Sequence, residues 1–229
     1  EEARLAVEPA LPQLQQRFKA WVAEYADLVH APRLEAIPEP RAPSPPPGRA
    51  HSAWGLAELT ESLLKLVRLL AHLAISQTLG PKIAAADTSA SHALLVEAAL
   101  SASESDAVRG GPVELALATE ELLLNAISAV TNLSFYREAG GGGAALLVAP
   151  PALTQSLVMA LAHENSEVET EAARALGNFC RDTSICEASC AHQADEALLV
   201  LLEHVEPAVA YAACGALINI AEDAVCARA

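Results

Sequence analysis

The chain has 229 residues, of which 29 are acidic and 14 are basic, so its formal net charge is −15. A chain this acidic is repelled by phosphate backbones, which argues against nucleic-acid binding. Apolar residues make up 52% of the chain but aromatic residues only 3%. A core must therefore be built from Ala, Leu and Val, a composition that favours helices packed on helices.

Residues 1–36 are predicted to hold an amphipathic helical segment, with its helix over residues 11–30. Its apolar stripe consists of Leu14, Phe18, Trp21, Val22, Tyr25 and Leu28. Two interpretations are open: the stripe caps the end of the following domain, or it binds a partner. Residues 37–51 contain the proline-rich run "IPEPRAPSPPPGR", which cannot continue a helix and is predicted to be an extended linker.

The segment "LLKLVRLLAHLAIS" (63–76) is the most apolar run, but Lys65, Arg68 and His72 interrupt it. We therefore predict no membrane span. "EAGGGGAA" (138–145) lies further along, and its run of glycines predicts a flexible loop. That loop lacks the Lys-Ser/Thr pair of a phosphate cradle.

Residues 52–229 contain an internal repeat. A shift of 41 residues lays "LVMALAHENSEVETEAARALGNFCRD" (157–182) over "LLVLLEHVEPAVAYAACGALINIAED" (198–223). A shift of 46 lays "LLLNAISAVTNLSF" (122–135) over the second half of the first phrase. Both shifts superpose asparagines: Asn132, Asn178 and Asn219. A period in the low forties with two visible helices per unit predicts an α-solenoid, in which the longer helix begins at Val168 or Val209.

The sequence lacks the arrangements that catalysis or metal binding require. "HENSE" (163–167) begins like the HExxH motif of zinc peptidases, but it has no second histidine four residues after the first. Cys186, Cys190 and His192 lack the second ligand pair of a structural zinc site. We therefore predict no enzyme, no catalytic residue, no metal, no cofactor and no small-molecule substrate. The five cysteines are expected to be reduced and at least partly buried. His163 and His204 recur at a helix end, where they are expected to donate to terminal carbonyls.

The phrases "EAARALGNFCRD", "YAACGALINIAED" and "LLNAISAVTNLSF" resemble the third helix of armadillo repeats. That resemblance implies an all-α solenoid wound as a right-handed superhelix, with its third helices along the concave face. The three asparagines would then form a ladder that holds the backbone of an extended partner. The alternative is that each asparagine bonds to the backbone of the adjacent repeat.

Other groove residues follow from the same resemblance. Nuclear-import receptors of this superfamily carry Trp one turn before each asparagine, where this chain has Ser128, Arg174 and Gly215. The departure disfavours a receptor for nuclear-localisation signals, and Arg174 favours a carboxylate-bearing partner. Phe135 and Tyr136 are predicted to be loop anchors or an exposed patch. The predicted partner-binding groove thus comprises Ser128, Asn132, Phe135, Tyr136, Arg174, Asn178 and Asn219.

The longer phrases "NLSFY" and "YAACGALIN" resemble the armadillo repeat-containing protein 2 family of ciliated cells. This implies a non-catalytic scaffold or adaptor that helps to deliver or place radial spokes on the axoneme. Its partners would be radial-spoke, axonemal or intraflagellar-transport proteins, and its locations the cytoplasm and the cilium or flagellum. Two alternatives stay open: a catenin-type signalling or junctional scaffold that binds acidic peptides, and a regulatory subunit of an enzyme complex.

Overall fold

The computed structural model describes residues 7–31, 55–85, 89–136 and 151–222. The predicted proline-rich linker (37–51) and the predicted glycine-rich loop (138–145) both lie outside these ranges. Within the described ranges the chain is helical, and no strand occurs. In chain order the helices are α1 (Leu11–His30), α2 (Leu56–Ala74), α3 (Gly80–Ala85), α4 (Ser89–Glu104), α5 (Asp106–Arg109), α6 (Val113–Leu133), α7 (Pro151–Ala160), α8 (Ser166–Phe179), α9 (Thr183–Ala191), α10 (Ala194–Leu201) and α11 (Pro207–Glu222). Short 3-10 turns, Glu8–Ala10 and Ser134–Tyr136, precede α1 and follow α6.

The helices form two rows. Helices α2, α6, α8 and α11 pack side by side in that order, and we call them the third-helix row. Helices α1, α4 and α7 pack in a second row behind them, and the apolar core lies between the rows. Each helix of a row contacts the next helix of the same row, which is the arrangement of a solenoid. The predicted all-α solenoid is confirmed.

Helix α8 shows how the sequence produces a third helix. The Asn165 side chain accepts a hydrogen bond from the backbone N–H of Glu167 at 2.8 Å, which caps the helix start. Its apolar residues at helical spacing form a stripe that is buried throughout: Val168, Ala172, Ala175, Leu176 and Phe179. The helix begins at Ser166, two residues before the predicted start, because the cap lies outside the apolar stripe. In the next repeat α11 likewise begins at Pro207, two residues before Val209.

Helix α1 packs against α2 and α4 through its predicted stripe. Phe18, Val22 and Tyr25 are completely buried, while Trp21 is partly buried and lies 5.5 Å below the guanidinium of Arg17. Complete burial of a large apolar side chain is worth about 1.5–3 kcal/mol. The most apolar part of the N-terminal stripe is therefore covered by helices of the same chain.

The cysteines differ in exposure. Cys180 and Cys186 are buried and Cys190 is partly buried, as expected, while Cys226 lies outside the described residues. Cys214 is exposed, so the expectation that it is at least partly buried was wrong. Its repeat equivalent, Ala173, is buried. Helix α11 is the last member of the row in the described ranges, so no described third helix covers its outer side.

Candidate functional site

A groove of about 520 Å³ lies between α8 and α11 and reaches the end of α6. We call it the α8–α11 groove. Small side chains make up most of its lining, while aromatic and polar side chains supply its chemistry. The lining residues are Phe135, Thr170, Ala173, Arg174, Gly177, Asn178, Ala208, Tyr211, Ala212, Gly215, Ala216 and Asn219.

Small residues let α8 and α11 approach closely at the base of the groove. A Cβ atom built on Gly177 would lie 3.1 Å from the Cα of Ala216, which is closer than most Cβ contacts in folded proteins. Gly215, on the exposed side of α11, has no atom within 4 Å of such a Cβ. The two glycines therefore differ in purpose: Gly177 permits the close approach, and Gly215 leaves open space beside it.

The three repeat asparagines do not share one role. Asn219 donates from Nδ2 to the carbonyl of Gly177 at 2.7 Å, and Asn132 donates to the carbonyl of Ala71 at 3.3 Å. Both bonds tie one third helix to the preceding one. Asn178 makes no side-chain hydrogen bond to any residue that the structure describes, and it lines the groove. Its amide is therefore available as both donor and acceptor.

Arg174 belongs to a short polar chain that crosses from α6 to α8. The Ser128 hydroxyl donates to Oε2 of Glu171 at 3.0 Å, and Arg174 Nη1 donates to Oε1 of the same carboxylate at 2.6 Å. The Arg174 side chain is 57% exposed and lines the groove. Ser128 does not line it, and acts instead on the carboxylate that orients the arginine.

Phe135 and Tyr136 point to different surroundings. Phe135 is 64% exposed and lines the groove. Tyr136 is partly buried, and its hydroxyl donates to the carbonyls of Ala74 at 2.6 Å and Ser76 at 3.3 Å. Its ring also fills the space beside Gly80, where an added Cβ would overlap it. Tyr136 thus fastens the end of α6 to the turn after α2.

Four of the seven predicted groove residues therefore meet in one place: Phe135, Arg174, Asn178 and Asn219. Ser128, Asn132 and Tyr136 lie outside that groove. Sequence reasoning missed Tyr211, which is 84% exposed and lines the groove. A signal for it existed, because position 211 falls outside the apolar stripe of α11 and a tyrosine there must face solvent.

The repeat histidines accept hydrogen bonds, and the expectation that they donate to terminal carbonyls was wrong. Nδ1 of His163 accepts from the backbone N–H of Asn165 at 3.1 Å, and Nδ1 of His204 accepts from that of Glu206 at 3.0 Å. Each therefore closes the turn before a third helix. Burial lowers the pKa of His163 from its ordinary 6.5, although nearby acidic residues oppose the shift.

One contact has the residue types of a nucleophile and a base. Oγ of Ser103 lies 3.5 Å from Nε2 of His163. Because Nδ1 of the neutral imidazole accepts the bond from Asn165, Nε2 carries the proton and cannot receive one from the serine. The serine hydroxyl itself donates to the carbonyl of Leu100 at 2.8 Å. The pair therefore makes a structural contact, and the histidine is not placed to activate the serine as a nucleophile.

Two further features bear on function. Over the described ranges, no three His, Cys, Asp or Glu residues are grouped so that they could hold a metal ion. Among the helices that the structure describes, none has the length and apolar character needed to cross a lipid bilayer.

Solved structures that are similar to the chain include two engineered proteins of the Northeast Structural Genomics Consortium. Both are 24% identical to the chain. The first overlay has a TM-score of 0.45 and covers 71% of this chain and 79% of the engineered protein. The second has a TM-score of 0.44 and covers 72% of this chain and 81% of the engineered protein. At these scores neither overlay carries a functional conclusion. No family model matches the chain.

Three curated proteins named Armadillo repeat-containing protein 2 are similar to the chain. The mouse protein is 30% identical over 167 residues, the cattle protein 28% over 167 and the human protein 26% over 176. Each alignment covers 73% of this chain but only 17% or 18% of the relative. The chain thus spans less than a fifth of the length of these relatives, and the resemblance predicted from its third helices is confirmed.

Proposed function

We propose that this chain is a non-catalytic scaffold that holds a protein partner in the α8–α11 groove. The observation that carries the proposal is that Phe135 and Tyr211, both largely exposed, line one groove together with Ala and Gly residues and with Asn178, whose amide has no bond to any described residue. Exposed aromatics beside a concave apolar surface are typical of binding sites, where a few such side chains supply most of the affinity.

The groove suits an extended segment of a partner. The Asn178 amide can donate to a peptide carbonyl and accept from a peptide N–H. Asn219 uses one N–H on Gly177 and keeps its carbonyl oxygen for a second bond. A segment lying along α8 would therefore find polar contacts for its backbone and an apolar floor for its side chains. The similarity to armadillo repeat proteins supports the same interpretation.

The groove is tested by capturing partners with tagged protein and its variants. Tyr211→Ser and Asn178→Ala should each reduce capture, because they remove the exposed aromatic and the available amide. Val205→Ser is the matched control, since Val205 is an exposed apolar residue outside the groove. Equal capture by all three variants and the wild type would place binding on another surface.

The finer part of the proposal is a ciliary adaptor that helps to deliver or place radial spokes on the axoneme. It is supported by the family resemblance of the third-helix phrases and by the similarity to the three curated relatives. The partners would then be radial-spoke, axonemal or intraflagellar-transport proteins, found in the cytoplasm and in the cilium or flagellum.

Affinity capture from a ciliated cell, comparing soluble cytoplasm with isolated axonemes by mass spectrometry, tests this part. Radial-spoke or transport proteins should appear, and the richer fraction distinguishes a carrier from a resident component. Two other functions give different results. A catenin-type scaffold would capture partners without any cilium, and a regulatory subunit would co-purify with an enzyme activity.

A further inference from the structure

The interfaces of the third-helix row share a polar pattern. Between α2 and α6, the guanidinium of Arg68 forms an ion pair with Glu121. Between α6 and α8, the Ser128 hydroxyl donates to Glu171. Ser128 lies one turn before Asn132, and Arg68 lies one turn before His72, which takes the asparagine position in α2. In both cases the polar side chain reaches a carboxylate on the next helix of the row.

The interface between α8 and α11 breaks this pattern. The repeat shifts that superpose the asparagines place Glu121 and Glu167 on Ala208, and Glu171 on Ala212. Both alanines line the α8–α11 groove. Helix α11 therefore supplies no carboxylate at either of these positions. The groove has an apolar surface there, whereas each preceding interface has an acidic side chain.

Arg174 lies at the residue position that makes those contacts. It is bonded only to Glu171, on its own helix, among the residues that the structure describes. A guanidinium has five N–H donors, and this bond uses one of them. Glu171 is itself held by Ser128, so the guanidinium is oriented, and the Arg174 side chain lines the groove.

We propose that the groove occupant supplies the missing carboxylate. Resting on the scaffold function above, this inference specifies the partner as a segment with an acidic residue next to a bulky apolar residue. The carboxylate bonds to Arg174 over Ala208 and Ala212, and the apolar side chain lies between Phe135 and Tyr211. Arginine and carboxylate form charge-assisted, commonly bidentate bonds, which makes the acidic residue the determinant of specificity.

Three fluorescein-labelled ten-residue peptides serve as probes, with the central sequence Leu-Asp-Phe, Leu-Asn-Phe or Leu-Lys-Phe between identical Ser-Gly flanks. Binding is measured by anisotropy at low and moderate salt. The Asp peptide should bind about tenfold more tightly than the Asn peptide, as one charge-assisted bond implies. The Lys peptide should bind most weakly. Added salt should reduce the Asp preference.

Variants assign the preference to Arg174. Arg174→Gln should abolish the difference between the Asp and Asn peptides. Glu171→Gln should keep or enlarge it, because the glutamine still accepts a bond while its negative charge is lost. Arg109→Gln is the control, since Arg109 pairs with Glu164 outside this groove. Melting temperatures of the variants show whether each one is folded.

The inference is overturned if the Lys peptide binds best or if Arg174→Gln leaves the preference for the Asp peptide unchanged. It is also overturned if no peptide binds the wild type with a Kd below about 1 mM. The scaffold function fails in a different way. Suppose that the wild type binds the Asp and Asn peptides equally and that Tyr211→Ser abolishes the binding of both. The groove is then a binding site without a carboxylate contact. If Tyr211→Ser changes no affinity, the groove itself is not the site.

Discussion

Substitution of Gly177 by alanine tests the close approach of α8 and α11. Within a helix, glycine is less favourable than alanine by about 0.5–1 kcal/mol, so an unobstructed substitution should stabilise the protein. At Gly177 the new methyl would lie 3.1 Å from the Cα and 3.4 Å from the Cβ of Ala216. Backbone atoms cannot rotate away, and overpacking of this kind costs about 1–3 kcal/mol. The net effect should be a loss of up to about 2.5 kcal/mol.

Gly215→Ala is the matched control, because Gly215 lies in the equivalent helix and has no atom near its added Cβ. It should stabilise the protein by about 0.5–1 kcal/mol. The difference between the two variants isolates the cost of the overlap, about 1–3 kcal/mol. For a chain of this size 1 kcal/mol shifts the melting temperature by about 2–4 °C.

Thermal and urea unfolding of both variants provide the measurement. The Gly177→Ala protein should melt below the Gly215→Ala protein by about 2–12 °C. Equal stabilisation by the two substitutions would refute the reasoning, since it would mean that α8 and α11 separate at no cost. A loss of stability in Gly215→Ala would instead show that the open side of α11 is occupied.

Three smaller predictions concern the polar contacts. Tyr136→Phe should lower the free energy of unfolding, measured in urea, by about 1–2 kcal/mol, because two carbonyls lose their donor. An unchanged urea midpoint would show that these hydrogen bonds do not stabilise the fold. Asn219→Ala should lower the free energy of unfolding by about 1 kcal/mol and Asn178→Ala by less than about 0.5 kcal/mol, since of these two only Asn219 is bonded to a described residue. Equal losses would contradict the different roles of the two asparagines. Because burial lowers the pKa of His163, the unfolded chain takes up the proton first, so stability should fall as pH drops below about 6.5 and level off below the folded pKa. His163→Gln should remove that part of the pH dependence, and an identical pH profile would assign it to other groups.

The repeat made much of the fold predictable. Two superposed phrases fixed the register of α8 and α11, because a third helix buries a stripe with a period of 3.6 residues, which is visible in sequence. Val168 and Leu176 are buried as that stripe requires. The starts of both helices were placed two residues late, because cap residues belong to the turn and carry no apolar signal.

The groove was less predictable, because hydrogen bonds depend on tertiary neighbours. Asn178 and Asn219 occupy the same repeat position, yet only Asn219 meets a carbonyl on the preceding helix. Tyr136 was predicted to be a loop anchor or part of an exposed patch, whereas its hydroxyl donates to carbonyls about sixty residues earlier in the chain. Such pairings have no spacing rule in sequence. Tyr211 could have been found, since its exposure follows from helical periodicity alone.

The uneven bonding of the asparagines has a mechanical consequence. A bond such as Asn219 to Gly177, or Asn132 to Ala71, joins a side chain of one helix to the backbone of the preceding one, so it resists axial sliding of the pair. The pair α6 and α8 lacks this side-chain-to-backbone bond within the described chain and is joined between side chains, Ser128 to Glu171 and Asn165 to Glu120. We therefore expect the row to behave as two stiff halves that flex between α6 and α8. Phe135 belongs to one half and Tyr211 to the other, so such flexing would change the width of the groove mouth.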